Sequence, residues 1–377
     1  MKIIADENMS AVQALFAPYG EVETLAGRAI NSATLATADV LLVRSVTRVD
    51  AELLEGSRIQ FVGSATIGTD HIDLQYLQDK GIHFAHAPGC NAEAVVQYML
   101  SVFCTLEPQW RAKTVGIVGC GNVGGRLLHR LAALGVNCQV YDPFLSEAEG
   151  DSLTDLETVL SADIICLHTP LTQAGPHPSH HLINQAVLAQ TIRPGALLIN
   201  ASRGGVIDNS ALLAHLKGGA DLKVALDVWE DEPEINLDLL GQVTIATPHI
   251  AGYSLEGRLR GTQMVRDGMC HHFGLAVDNS QQSTALDLLA EGRGVEALFL
   301  AAGQGLDQAI LGSYPVAEDD RQMRKALGVD GGQRRGVVFD GLRKHYAQRR
   351  EFSYYSTGGP GERACRAELG LLGFKPG

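Results

Sequence analysis

Short runs of β-branched and other apolar residues, four to six long, recur along the chain and alternate with segments whose apolar positions fall three and four apart. This alternation is the pattern of parallel sheets covered by helices, because parallel strands are buried on both faces and read as continuous apolar runs. A first series predicts strands near 2–5, 22–25, 39–43, 59–62 and 82–84, then a helix from about 92 to 106. A second begins after Lys113, with TVGIV (114–118), CQVY (138–141), DIICLH (163–168), ALLIN (196–200), LKVAL (222–226) and VTIA (243–246). Residues 254–275 predict one more helix, with Leu255 and Leu259, then Met269 and Phe273, as i,i+4 pairs that can pack back on the first series.

The length changes this picture little. At 377 residues with 45% apolar content the chain can bury more than one core. Beyond about residue 280 the texture shifts. Residues 281–377 carry 13 Lys and Arg against 12 Asp and Glu, so nearly all of the net charge of −13 lies before them. Glycine-rich breaks at Gly331-Gly332 and Gly358–Gly361 separate an apolar helical piece around Leu286–Leu311 from a basic piece around Arg343–Arg350, which reads as a solvated helix face or an interface rim.

The acidic balance argues against nucleic acid as a partner, since a phosphate backbone would be repelled. Seven scattered cysteines without a CxxC pair argue against a disulfide framework and a zinc site, and fit a reducing cytoplasm. Asp6 and Glu7 interrupt the N-terminal apolar stretch before a signal-peptide core could form, and no apolar run is long enough to span a bilayer.

The candidate chemistry lies at the ends of the second series of strands. Gly119-Cys120-Gly121-Asn122-Val123-Gly124 is weak alone, because 42 glycines make about half a chance occurrence of the spacing. Its context is better: it follows TVGIV, opens a helix, and precedes Asp142 at the end of CQVY. Gly119 permits the tight turn, Gly121 lets backbone approach a pyrophosphate, and Gly124 lets helix and strand pack closely. Asp142 would accept hydrogen bonds from a ribose diol and repel a phosphate there, so the cofactor reads as NAD rather than NADP.

Ligands of such sheets sit outside the carboxyl ends of the strands. The residues found there are Gly119, Asp142, Thr169-Pro170, Ala201-Ser202-Arg203, Asp227 and Pro248-His249. Arg203 offers a planar fork of donors for a carboxylate, and His249 can take a hydroxyl proton near neutral pH. Glu232 is a candidate to orient the imidazole, with Glu230, Asp231 and Glu234 as competitors that spacing does not separate. His180-His181 and His271-His272 lack metal-ligand spacing with nearby acids, so no metal is assigned. In the first series, Arg44-Ser45-Val46-Thr47-Arg48 follows DVLLV and Ser64–Asp70 follows IQFV, two loops that could hold an anion or serve as ordinary capped turns.

Five ordered motifs, GSATIGTDHID (63–73), GIVGCGNVGG (116–125), NASRGG (200–205), DVWEDEP (227–233) and TPHIAGYS (247–254), resemble the D-isomer-specific 2-hydroxyacid dehydrogenases over roughly 40–260. The opening MKIIADENM and the AEDDRQMRKAL and FDGLRKHYAQRREFS segments are similar to a family member that acts on a phosphorylated 2-hydroxy acid. The resemblance implies two Rossmann-like α/β domains flanking a cleft, plus a C-terminal α+β dimerisation domain. Residues 1–92, rejoined by the helix at 254–275, would bind substrate, 93–253 would bind NAD, and 281–377 would form a homodimer. Arg203, Glu232 and His249 would be the catalytic trio. Asp142, Thr169, Ala201, Ser202, Arg203, Asp227 and Gly252 would contact NAD, and Arg44, Ser45, Thr66 and Tyr253 the substrate. A 3-phosphoglycerate dehydrogenase and a non-catalytic NAD(H)-sensing scaffold remain alternatives.

Overall fold

The computed structural model describes residues 1–146, 152–278, 295–330 and 334–377, which form two compact units. The first comprises Met1–Asn91 and Tyr253–Val295. Its five parallel strands are β1 (Lys2–Asp6), β2 (Glu21–Leu25), β3 (Val40–Val43), β4 (Phe61–Ser64) and β5 (His83–His86), in the order β2-β1-β3-β4-β5. β4 and β5 begin later than their apolar runs suggest, because the ladder starts level with β3, with Val40 opposite Phe61 and Phe61 opposite His83. The helix Leu255–Phe273 is capped by Ser254, whose hydroxyl accepts from Gly257 N–H, and buries Leu259, Val265 and Met269 in the core that contains Phe61.

The second unit comprises Ala92–Gly252 and Glu296–Gly377. Its six parallel strands are β6 (Val115–Val118), β7 (Cys138–Tyr141), β8 (Ile164–Leu167), β9 (Ala196–Asn200), β10 (Leu222–Leu226) and β11 (Ile245–Ala246), in the order β11-β10-β9-β8-β6-β7. β6, β8 and β9 are buried along their whole length, as central parallel strands must be. In each sheet the first strand lies between the second and third, so chain direction reverses beside it. That reversal leaves a crevice at the carboxyl ends, which in the second sheet falls between β6 and β8.

The C-terminal residues share a core with this second sheet. The helix Ala92–Leu106 buries most of its circumference, and Leu306, Ile310, Tyr314 and Phe352 belong to the same apolar cluster as its Val96, Leu100 and Phe103. Ser101 donates its hydroxyl proton to Tyr314 O at 2.6 Å and accepts from Val316 N–H at 3.1 Å. A three-stranded parallel sheet, β12 (Glu296–Phe299), β13 (Tyr355–Gly358) and β14 (Lys375–Pro376), completes the region. The apolar piece expected as helix around Leu286–Leu311 is therefore strand at 296–299 and helix only from Leu306; its part before residue 295, like Gly331-Gly332, lies outside the described residues. The basic piece also differs from expectation: Arg349 is 6% exposed rather than solvated.

Close packing makes one strand residue testable. A Cβ at Gly116 of β6 would lie 2.3 Å from Val159 O and 3.0 Å from the Ala162 methyl. Gly116→Ala is expected to destabilise the protein by about 1–3 kcal/mol, read as a lower denaturant midpoint at unchanged slope.

Candidate active site

Because all six strands of the second sheet run parallel, the residues just past their ends gather at one edge. After β6, Gly119 adopts φ +88°, a left-handed conformation that favours glycine. A Cβ on Gly124 would fall 1.9 Å from Gly119 O, whereas one on Gly121 would meet nothing within 4 Å. The pair Gly119 and Gly124 closes the helix Gly124–Ala133 onto its strand, and Gly121 leaves backbone open to a ligand. Asp142 follows β7 and accepts from Cys120 N–H at 2.8 Å, which fixes its carboxylate beside the glycine turn.

His168 and Thr169 follow β8, on the other side of the crevice; His168 backbone atoms stand 2.9 Å from where a Cβ of Gly119 would be. Both ring nitrogens of His168 and the Thr169 hydroxyl are buried with no hydrogen-bond partner among the described residues. Unsatisfied buried polar groups beside a glycine turn fit a polar ligand such as a dinucleotide. The open backbone at Gly121, the helix N-terminus and the Asp142 carboxylate are the parts that a pyrophosphate and a ribose diol require, so these residues fit NAD.

Beyond β9, Asn200 organises the turn that carries Arg203. Its side-chain oxygen accepts from the backbone N–H of Ser202 at 3.0 Å and from the Ser202 hydroxyl at 2.8 Å, while its amide donates to Arg203 O at 2.9 Å. Sequence spacing does not single out Asn200. It ends a fully apolar strand, where a polar residue signals a turn to be held.

Asp227 directly follows β10 and is 1% exposed. One carboxylate oxygen accepts from the Thr247 hydroxyl at 2.7 Å and Ile250 N–H at 2.8 Å, and the other from Ala251 N–H at 3.0 Å. Its backbone carbonyl accepts from His249 N–H at 2.7 Å. These bonds hold His249 at φ +58°, a conformation that costs a non-glycine residue about 1–3 kcal/mol. Asp227, expected among the NAD contacts, thus spends its carboxylate on the loop that presents His249.

The four acids of 230–234 are separated by their partners. Glu232 Oε2 lies 2.7 Å from His249 Nδ1, and its Oε1 accepts from Trp229 N–H at 2.9 Å. Glu230 instead bonds His181 Nε2 at 2.7 Å and accepts from Asn209 N–H at 2.8 Å. Glu234 pairs with Arg335 at 2.8 Å, and Asp231 occupies a left-handed turn at φ +60°. Burial opposes the charge on Glu232, but the His249 ring, the Trp229 N–H and the Arg343 guanidinium together hold its carboxyl below the usual range. Glu232, His249, Arg203, Gly205 and His180 line one cavity of about 310 Å³. With Nδ1 committed to Glu232, the Nε2 of His249 is the nitrogen left for a substrate proton.

His180 and His181 do approach an acid, Glu230, with ligand atoms within 4.8 Å of one another, which linear spacing does not indicate. Their rings stack at 3.9 Å, so the in-plane lone pairs run side by side instead of converging, and His181 is already bonded to Glu230. The set is a poor metal cage.

The first unit holds the remaining candidates. Thr47 is buried and donates to Gly27 O at 2.9 Å, and Arg48 pairs with Asp50 at 2.8 Å, so neither serves an anion cradle. Arg44 and Ser45 remain at the end of β3. Thr66 lies 2.6 Å from the Ser64 hydroxyl and donates to Gly68 O at 2.8 Å, shaping the loop after β4. Arg258, on the first turn of the helix Leu255–Phe273, is a residue that spacing misses. Burial and then the like charge of Arg44 hold its guanidinium below its ordinary value, while Tyr253 opposes them. Arg44 and Arg258 thus bring two like charges into electrostatic reach of one another and of Tyr253.

Burial pushes the His168 imidazole down to about 4. The folded state therefore favours its neutral form, and the unfolded state binds the extra proton between pH 6.5 and about 4, so stability should fall as pH drops through that window. The ligand-free unfolding free energy is expected to lose on the order of 1.4 kcal/mol per pH unit there, and His168→Leu should flatten that slope.

Known proteins share this fold. Residues 102–251 match the model of the D-isomer specific 2-hydroxyacid dehydrogenase, NAD binding domain, and residues 300–369 match Domain of unknown function (DUF3410). The chain is 46% identical over 381 residues to the erythronate-4-phosphate dehydrogenase of Cellvibrio japonicus (strain Ueda107), covering 100% of both chains. It is 49% identical over 363 residues to that of Sodalis glossinidius (strain morsitans), covering 94% of this chain and 93% of that one. Among solved structures, a D-lactate dehydrogenase from Aquifex aeolicus complexed with NAD and lactic acid superposes with a TM-score of 0.62 at 24% identity, covering 73% of this chain and 96% of that one. An NAD⁺-bound 3-phosphoglycerate dehydrogenase from Entamoeba histolytica has the same TM-score and identity and covers 73% and 95%. The fold is thus that of the NAD-dependent dehydrogenases, and the chain belongs to the D-isomer-specific 2-hydroxyacid dehydrogenase family, on the branch of the erythronate-4-phosphate dehydrogenases.

Proposed function

We propose that the protein oxidises 4-phospho-D-erythronate to 2-oxo-3-hydroxy-4-phosphobutanoate with NAD, a step of pyridoxal phosphate biosynthesis. The observation that carries this reading is the His249–Glu232 pair at 2.7 Å sharing a cavity with Arg203, in a chain that matches erythronate-4-phosphate dehydrogenases along its length.

The roles derive from the chemistry of each group. Bound NAD supplies the acceptor for the hydride that leaves C2. Gly119–Gly124, Asp142, Thr169, Ala201, Ser202 and Gly252 would hold it, with Asp227 supporting the last of these through the loop it fixes. Arg203 binds the substrate carboxylate through its fork of donors. His249 Nε2 takes the C2 hydroxyl proton as the C2–H bond breaks, and Glu232 stabilises the imidazolium that results. Arg44, Ser45, Thr66 and Tyr253 bind the phosphorylated end, and the Arg44–Arg258 pair supplies its positive charge. We assign the homodimer contact to the residues after 280 and the cytoplasm as the place of action, consistent with seven free cysteines and with no described helix long and apolar enough to cross a membrane.

His249→Ala should retain NADH binding while kcat falls at least about a hundredfold; unchanged turnover of the phosphorylated acid would remove the base from the reading. Arg258→Gln should raise KM for the phosphorylated acid at least about tenfold, a loss of one charged hydrogen bond, with little change in kcat for an unphosphorylated 2-hydroxy acid.

A further inference from the structure

The basic piece near the end of the chain contains a cation that the reaction scheme does not use. Arg349, 6% exposed, lies in the segment after the helix Arg335–Lys344. Its Nη2 donates to Ala94 O at 3.1 Å and also to Ala251 O. The guanidinium stacks over the Tyr314 ring at 4.2 Å. Ala251 is the residue whose N–H Asp227 holds, two positions past His249. The loop is thus clamped at one residue from both sides, by a carboxylate on its N–H and a guanidinium on its carbonyl.

Two further contacts run the same way. Tyr98 lies 3.0 Å from the Thr247 hydroxyl, which donates to Asp227, and Tyr98 packs on Tyr314 beneath Arg349. On the other catalytic segment, Arg335 pairs with Glu234 at 2.8 Å, and a Cβ on Gly336 would fall 2.1 Å from the Glu234 carboxylate, so that helix packs against the segment carrying Glu232.

We propose that Arg349 is a positioning residue for His249, and that the C-terminal region is a built-in part of the catalytic apparatus through its hold on the 247–251 loop. The physical reason is charge as well as contact. Asp227 is buried and repels the half-buried Asp319, which accepts the hydroxyls of Tyr314 and Tyr346 at 2.7 Å each. Burial raises the Asp319 carboxyl, while those hydroxyls and then Arg349 pull it back. Without the guanidinium, both carboxylates would lose a nearby cation and the loop carbonyl would lose its donor, so the loop rather than the sheet would move. Ordering of a catalytic imidazole is lost by small displacements, which penalise the transition state more than binding.

The inference rests on His249 as the base, so its test includes a measurement that needs no turnover. In Arg349→Lys, which keeps the charge but not the planar guanidinium that stacks on Tyr314 while reaching both carbonyls, NADH affinity and KM should stay within about threefold while kcat drops at least about tenfold. Backbone amide exchange in a 247–252 peptide should speed up while peptides from β6 to β9 are unchanged. In Arg349→Ala, added guanidinium ion should restore part of kcat. A folded Lys variant with wild-type kcat and unchanged exchange at 247–252 overturns the proposal, as does a Lys variant that no longer folds or binds NADH, because a positioning role leaves the sheet and glycine turn intact. Faster exchange with an inactive wild type would instead sink the reading of His249 and leave the clamp standing.

Discussion

One buried carboxylate organises the catalytic edge. Asp227 follows β10 with both oxygens inside the protein, and among the described residues its carboxylate's donors belong to the five residues after β11. A carboxylate without such donors would be costly to bury, so its desolvation is balanced only when the loop closes around it. That closure holds His249 in a left-handed conformation it would not adopt alone, aims its Nδ1 at Glu232 and leaves Nε2 toward the cavity. Asp227 therefore positions the loop that carries His249.

The two sheets share a strand order but not a chemistry, and the difference lies in the residues just past the first strand of each. After β6 come glycines, one with open space where its side chain would be. At the end of β1 stands Asp6, fully buried, with Oδ1 accepting from Asn8 N–H at 2.8 Å and Oδ2 close to where a Cβ of Gly27 would lie. A phosphate at that second crevice would meet an anion and a closed turn. Topology offers a crevice in both sheets; the side chains decide that the pyrophosphate belongs to one.

How far the sequence is legible depends on the range of the forces involved. Parallel strands announce themselves because burial on both faces requires apolar residues in succession, as in VGIV, IICL and ALLIN, and the glycine turn does so because its backbone needs are local. Glu232 cannot be told from Glu230, Asp231 and Glu234 by spacing, since the distinction depends on which carboxyl meets a ring 17 positions away. Arg349 reads as surface because burying a guanidinium needs carbonyls from residues 94 and 251, 255 and 98 positions distant, that spacing does not reveal. Arg258 sits on a helix face that periodicity assigns to solvent, and its use emerges only when Arg44 and Tyr253 are brought beside it. The turn-holding Asn200 falls between these cases, a polar residue closing an apolar strand whose partners are two and three residues away.

A net charge of −13, spread evenly, would repel a phosphorylated acid and an anionic cofactor alike. Screening resolves the conflict, because beyond roughly 8–10 Å at physiological salt the averaged field is weak, and an anion at the site responds to its nearest charges. Each unit carries such cations: Arg203 in the cavity of the second, and Arg44 and Arg258 in the first. Desolvation and then the like charge of Arg44 lower the Arg258 guanidinium, and an anion beside the pair would oppose that shift. On the proposed reading a phosphorylated substrate meets these cations with its phosphate and a plain 2-hydroxy acid does not, which favours the former.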